Sequence, residues 1–187
     1  MDKKHIDLAD LLSVRFSYSP DADMHAFKDW AEQRLSENEV NENVLILASL
    51  GLDKAISQYE VYRYFDAYLL DNAIAHPSPF ELLPMIVRYG LKRIAFSESE
   101  AEVWSGLTHF KDFYYEVGPS RILKKIVSYL TDAYEDFVNY YDEDEGYFYL
   151  RRPRHELIVK EFQAKYVQES AMRFLRLFEG EYYRLGM

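Results

Sequence analysis

The chain contains no cysteine. That excludes a disulfide scaffold, a thiolate zinc site, an iron–sulfur cluster and a cysteine nucleophile. Glycine and proline are scarce, seven and six in 187 residues. The glycines never cluster, so there is no phosphate-cradling loop and no dinucleotide fingerprint. Ser105-Gly106 lacks the leading glycine of a nucleophile elbow. No window holds the roughly 18 uninterrupted apolar residues of a membrane span. The opening segment Ile6–Leu12 is broken by Asp7 and Asp10, so it has no signal-peptide core. These absences predict a cytoplasmic chain with no membrane association.

Positive charge is the scarcer sign. There are 22 Lys and Arg against 32 Asp and Glu, a net charge of −10. Direct nucleic-acid binding asks for the opposite balance. Histidine is too dispersed for a local metal site. His5, His25, His76, His109 and His155 form no close pair. His155-Glu156 begins a zinc-protease signature, but position 159 is Val159. Three residues before the last four histidines stand Ala22, Ala73, Gly106 and Arg152, so the helical di-iron motif is missing. No metal and no cofactor are expected.

What is present is apolar periodicity. Hydrophobic residues make up 49% of the chain, with 17 Tyr and 12 Phe, which excludes a wholly disordered polymer. The pattern predicts an all-α fold: one compact bundle of about seven to eight helices with short loops and no sheet. No linker or low-complexity stretch divides residues 1–187, which read as a single domain.

Helices are expected over Ile6–Leu12, over Met24–Leu35 behind an Asp23 cap, and over the apolar run Val44–Leu50. Asn43 would cap that run and Gly51 would end it in a left-handed conformation. Three capping boxes follow, Ser57 with Glu60, Ser78 with Glu81, and Ser97 with Glu100. The first opens a helix from Gln58 to Ala73 that buries Val61, Phe65, Tyr68 and Leu69. The second opens a helix at Pro79, expected to kink or break at Pro84 and to be interrupted at Gly90. The third opens Glu98–Glu116, with Val103, Leu107, Phe110 and Tyr114 on one stripe.

Gly118-Pro119 opens the clearest helix. Ile122, Leu123, Ile126, Val127, Leu130, Tyr134, Phe137, Val138 and Tyr141 form its core-facing stripe. Tyr147–Leu150 is too short and solitary for a strand and reads as an extended connector. The last helix is expected from about Pro153 to Arg184. Its buried face is read as Ile158, Phe162, Tyr166, Ala171, Leu175, Phe178 and Tyr182.

Two charge clusters are candidate sites. The run Asp142, Glu143, Asp144 and Glu145 lies in a segment, 97–150, with 12 acidic and four basic residues. It does not fit a calcium loop: aligning Gly146 with the invariant glycine puts Tyr141 and Arg152 at positions that need oxygen ligands. Flanked by Tyr140, Tyr141 and Tyr147, it has the composition of a protein-binding patch, since tyrosine adds contact area at low entropy cost. The second cluster, Arg151, Arg152, Arg154 and His155, suits anion binding at a helix start.

Together these features point to an acidic helical interaction module. The expected partner is a basic protein, as for an inhibitor or immunity-type protein. The alternatives are a self-associating structural protein, or a helical enzyme or small-ligand binder with an inter-helix pocket using His76 or His109 beside tyrosine hydroxyls.

Overall fold

The computed structural model describes residues 6–17, 23–51, 56–111, 120–141 and 160–179. Among these the protein is all-α, with eight helices and no strand: α1 Leu8–Phe16, α2 His25–Ser36, α3 Glu42–Ser49, α4 Gln58–Asp71, α5 Pro79–Ala95, α6 Glu100–Lys111, α7 Arg121–Tyr141 and α8 Lys160–Glu179. The chain divides into two compact units, Met1–Met85 and Ile86–Met187. The division falls inside α5, directly after Pro84 and Met85.

Unit 1 is built on aromatic rings. Phe27, Trp30 and Phe65 are almost wholly buried. The Phe65 ring meets Phe27 edge-on at 5.0 Å between centroids, and Trp30 meets Tyr68 at 5.0 Å. Leu11, Val44, Leu47, Val61 and Leu69 close the core around them. Local chemistry sets the helix ends. Asp7 and Asp10 form a reciprocal capping box at α1. The α3 cap is Asn41, whose Oδ1 accepts from the Asn43 and Val44 amides. Asn43 is not the cap, because its side-chain amide donates instead to Asp71 at 2.8 Å. Gly51 takes the expected left-handed backbone with φ of 80°. Asp23 accepts from the His25 amide at 2.9 Å, but the α2 cap position is Met24.

The α5 start is as the sequence predicts. The Ser78 amide donates to Glu81, and the Glu81 amide donates back to Ser78 Oγ. The expected break at Pro84 and interruption at Gly90 do not occur: α5 is helical throughout. Pro84 removes one donor, whose acceptor would be the carbonyl of Phe80, a residue on the exposed first turn. Gly90 is retained for space. A Cβ there would stand 2.5 Å from the Phe110 ring.

Unit 2 is held by close approach of helices. Gly106 of α6 likewise meets Ile94, with a Cβ position 2.7 Å from its Cγ1. Helix α7 buries Leu123, Ile126, Val127 and Leu130 of the expected stripe, together with Ala133 and Asp136, while Ile122, Tyr134 and Val138 are half-buried. Helix α8 buries Ala164, Val167, Ser170, Ala171 and Leu175. Ala171 and Leu175 are buried as expected, whereas Tyr166 and Phe178 are only half-buried. Small residues let α8 sit close, and buried Ser170 is satisfied by the Tyr129 hydroxyl at 2.9 Å.

The α6 start also differs in register. Its cap is Ser99, whose Oγ accepts from the Glu102 amide, while Glu102 accepts from the Glu98 amide at 2.8 Å. Ser97 cannot serve, because its hydroxyl donates to the Arg93 carbonyl at the end of α5. Gln168 of α8 completes this corner by donating to the carbonyls of Ala95 and Ser97.

Candidate functional site

Helix α7 is described as far as Tyr141, the residue before the acidic run in the sequence. Tyr140 and Tyr141 belong to its last turn, but their side chains are outside the description. Asp142, Glu143, Asp144, Glu145 and Tyr147 lie outside the described residues, as do Arg151, Arg152, Arg154 and His155. So do Tyr114, the Tyr147–Leu150 connector, Ile158 and Tyr182.

Among the described residues, unit 1 exposes large apolar side chains. Val40 is 92% exposed, Leu70 81%, Phe80 76% and Tyr59 76%. Leu45 is also exposed. Leu70 is left outside because α4 buries Leu69, and consecutive helical residues point about 100° apart. The surrounding sequence is acidic, with six Asp and Glu against two Lys and Arg from Val40 to Glu81. Sequence reasoning missed Leu70 and Phe80. The available signal was a large apolar residue beside a stripe position rather than on it.

One ion pair in this unit is well made. Arg15 of α1 holds Asp66 of α4 with two parallel bonds, Nε to Oδ1 at 2.9 Å and Nη2 to Oδ2 at 2.8 Å. Its guanidinium also lies 4.5 Å from the Tyr62 ring centroid. The hydrogen bond to Asp66 holds the Arg15 pKa above its ordinary value. The pair fixes α1 on α4 and presents no free charge to a ligand.

Two open clefts in unit 2 are lined by described residues. One, of about 330 Å³, lies at the α6 start between Ser99, Glu100 and Val103 on one side and Lys165 and Gln168 on the other. Two of its polar side chains are engaged at helix ends: Ser99 with the Glu102 amide, and Gln168 with two carbonyls. The second, of about 470 Å³, runs along α7 past Lys124, Lys125, Ser128, Tyr129 and Asp132. Burial, and then the neighbouring Glu135 carboxylate, push the Asp132 pKa up.

His76 and His109, the histidines of the enzyme alternative, belong to different units. His76 is exposed in unit 1, its ring 4.7 Å from Phe16. His109 lies in unit 2 with its Nε2 enclosed. Burial, and secondarily Arg93, bring its pKa down to about 4. It is a neutral imidazole packed edge-on against Phe110. Among the described residues no group of three His, Asp or Glu side chains could hold a metal ion. No helix among them is long and apolar enough to cross a membrane.

The chain matches no family model, no curated protein and no solved structure. Its own surface chemistry therefore carries the functional reading.

Proposed function

We propose that this chain is an acidic helical interaction module that works by occupying a basic protein partner in the cytoplasm, as an inhibitor or immunity-type protein does. The observation that carries the reading is the exposure of Val40, Leu45, Tyr59, Leu70 and Phe80 on a unit whose surrounding segment is acidic. Apolar anchors supply affinity once water is excluded around them, and the acidic rim speeds encounter and selects a partner of opposite sign. The run Asp142–Glu145, with Tyr140, Tyr141 and Tyr147, repeats that combination of acid and aromatic further along the chain. Arg151, Arg152, Arg154 and His155 would take carboxylates of the partner.

The test is capture of partners by the tagged chain from its native lysate, with nuclease present, at low and high salt. The expected result is one stoichiometric basic protein released by salt. Its retention should be lost in a Leu70→Ser/Phe80→Ser double variant, or in a charge-reversed variant of Asp142–Glu145, while helical circular dichroism is kept. Retention of the chain alone, or binding unchanged in both variants, overturns the reading.

A further inference from the structure

Helix α7 carries its charges in an order that does not serve the helix itself. Its first turn has no acidic residue and its last turn no basic one. Arg121 and Lys124 stand near the positive end of the helix dipole, and Asp132 and Glu135 lie further toward the negative end. This is the unfavourable order for the two cations, and the two acids, in the middle of the helix, gain nothing from the dipole. Arg121, Lys124 and Lys125 are exposed, and Ser128, Asp132 and Glu135 half-buried. At 100° per residue these six fall within an arc of about 100°. That arc lies opposite the buried stripe of Leu123, Ile126, Leu130 and Ala133. Among the described residues none of the five charged ones has an ion-pair partner.

The spacing is antisymmetric about Ser128. Arg121 and Glu135 stand seven residues to either side, and Lys124 and Asp132 four. We propose that this face of α7 docks on the same face of a second copy of the chain, antiparallel, with Ser128 at the twofold axis. Residue 128 − n then meets residue 128 + n of the other copy, as an isologous contact requires. Arg121 meets the partner's Glu135 and Lys124 meets the partner's Asp132, and each pair occurs twice. Lys125 reaches the same carboxylate as Lys124. The antiparallel arrangement also opposes the two helix dipoles, so an order that is unfavourable within one helix becomes complementary between two. The open cleft along Lys124, Ser128 and Asp132 leaves room for the crossing helix, and serine is small enough to let the backbones approach. The charged face is only about four turns long, so the dimer belongs to the weak, salt-sensitive class. This inference is independent of the basic-partner reading.

The experiment is sedimentation velocity on the full chain across a wide concentration range, at low and at high salt. At low salt the mass should rise with concentration from 22.2 kDa toward twice that value, and return to 22.2 kDa at high salt. Arg121→Glu/Lys124→Glu and Asp132→Lys/Glu135→Lys should each stay monomeric with unchanged helical circular dichroism. Mixed together they should form a heterodimer, because each reversed half then faces its opposite. The four substitutions combined in one chain should restore the homodimer. A natural chain that stays at 22.2 kDa throughout overturns the proposal. So does a dimer that ignores the reversals, or a mixture that fails to associate. Inorganic phosphate shifting the Lys124 and Lys125 NMR signals in a chain that never dimerises would also overturn it, and would make the cationic half an anion site.

Discussion

The two units bury their helices by different means. Unit 1 fills its interior with large rings, Phe27, Trp30, Phe65 and Tyr68, and leaves Leu70 and Phe80 outside. Unit 2 draws its helices together over Gly90, Gly106, Ala164 and Ala171 and shows charge along α7. A ring-filled core is limited by volume. A core closed over glycine and alanine is limited by contact. Unit 1 should therefore suffer most from side chains made smaller, and unit 2 from side chains made larger. The surfaces differ in the same direction, apolar excess on one and ordered charge on the other.

The largest expected effect is in unit 1. Phe65 is fully buried and touches the rings of Phe27, Trp30 and Tyr68. Phe65→Ala should cost about 3–5 kcal/mol of stability, from lost transfer energy and the cavity left behind. Urea unfolding measures it. A loss below about 1.5 kcal/mol would mean that the rings are not close-packed, and the contrast between the units would fail.

The next effect is in unit 2 and depends on pH. His109 has a folded pKa of about 4 against an ordinary 6.5. Between those values the unfolded chain binds the proton and the folded chain does not, so stability falls as pH is lowered through this window. The contribution is complete above about 6.5 and amounts to about 3 kcal/mol lost by pH 4. Asp132 has the opposite sign, since its raised pKa favours proton uptake by the folded state at the acidic end. His109→Gln should flatten the slope between pH 4 and 6.5 and leave the Asp132 contribution in place. A slope unchanged by the substitution would place the titrating group elsewhere.

Gly90→Ala tests the contact limit by its sign. In an exposed helix interior this change gains about 1 kcal/mol. Here the added Cβ would lie 2.5 Å from Cζ of Phe110, which is itself fully buried. The expected outcome is a loss of about 1–3 kcal/mol by overpacking. Thermal melting decides it, and a gain in melting temperature would show that Phe110 can move aside. Gly106→Ala should behave alike against Ile94.

The sequence made the helices legible wherever periodicity was strong. The α7 stripe of Leu123, Ile126, Val127 and Leu130 could be placed from spacing alone, because burial of that face is what the spacing encodes. It was less legible where two residues competed for one job. Ser97 and Ser99 both sit three before a glutamate, and only the Ser97 bond to the Arg93 carbonyl decides between them. Asn41 and Asn43 present the same ambiguity, resolved by the distant Asp71. Continuity of α5 through Gly90 was hidden because the glycine serves a neighbouring helix, not its own. The α8 face was legible only in part: Ala171 and Leu175 are buried as expected, but Tyr166 and Phe178 are half-buried while the small Ala164 and Ser170 are in the core. Of the candidate site, the sequence offered charge and aromatic composition. The exposed anchors Leu70 and Phe80 needed the fold, since exposure is a property of packing.

The smallest expected stability effect is the most informative for function. Leu70 and Phe80 are 81% and 76% exposed, so neither contributes much to the unit 1 interior. Leu70→Ser and Phe80→Ser should each change stability by no more than about 0.5 kcal/mol, as surface substitutions do. If the apolar excess of unit 1 serves a partner, the same two substitutions should weaken capture of that partner by more than tenfold, because anchors at an interface cost over 1.4 kcal/mol when removed. A loss of stability above about 1 kcal/mol would instead mean that these side chains pack against the protein itself. The contrast between the units would then be one of core construction alone, with no bearing on what unit 1 binds.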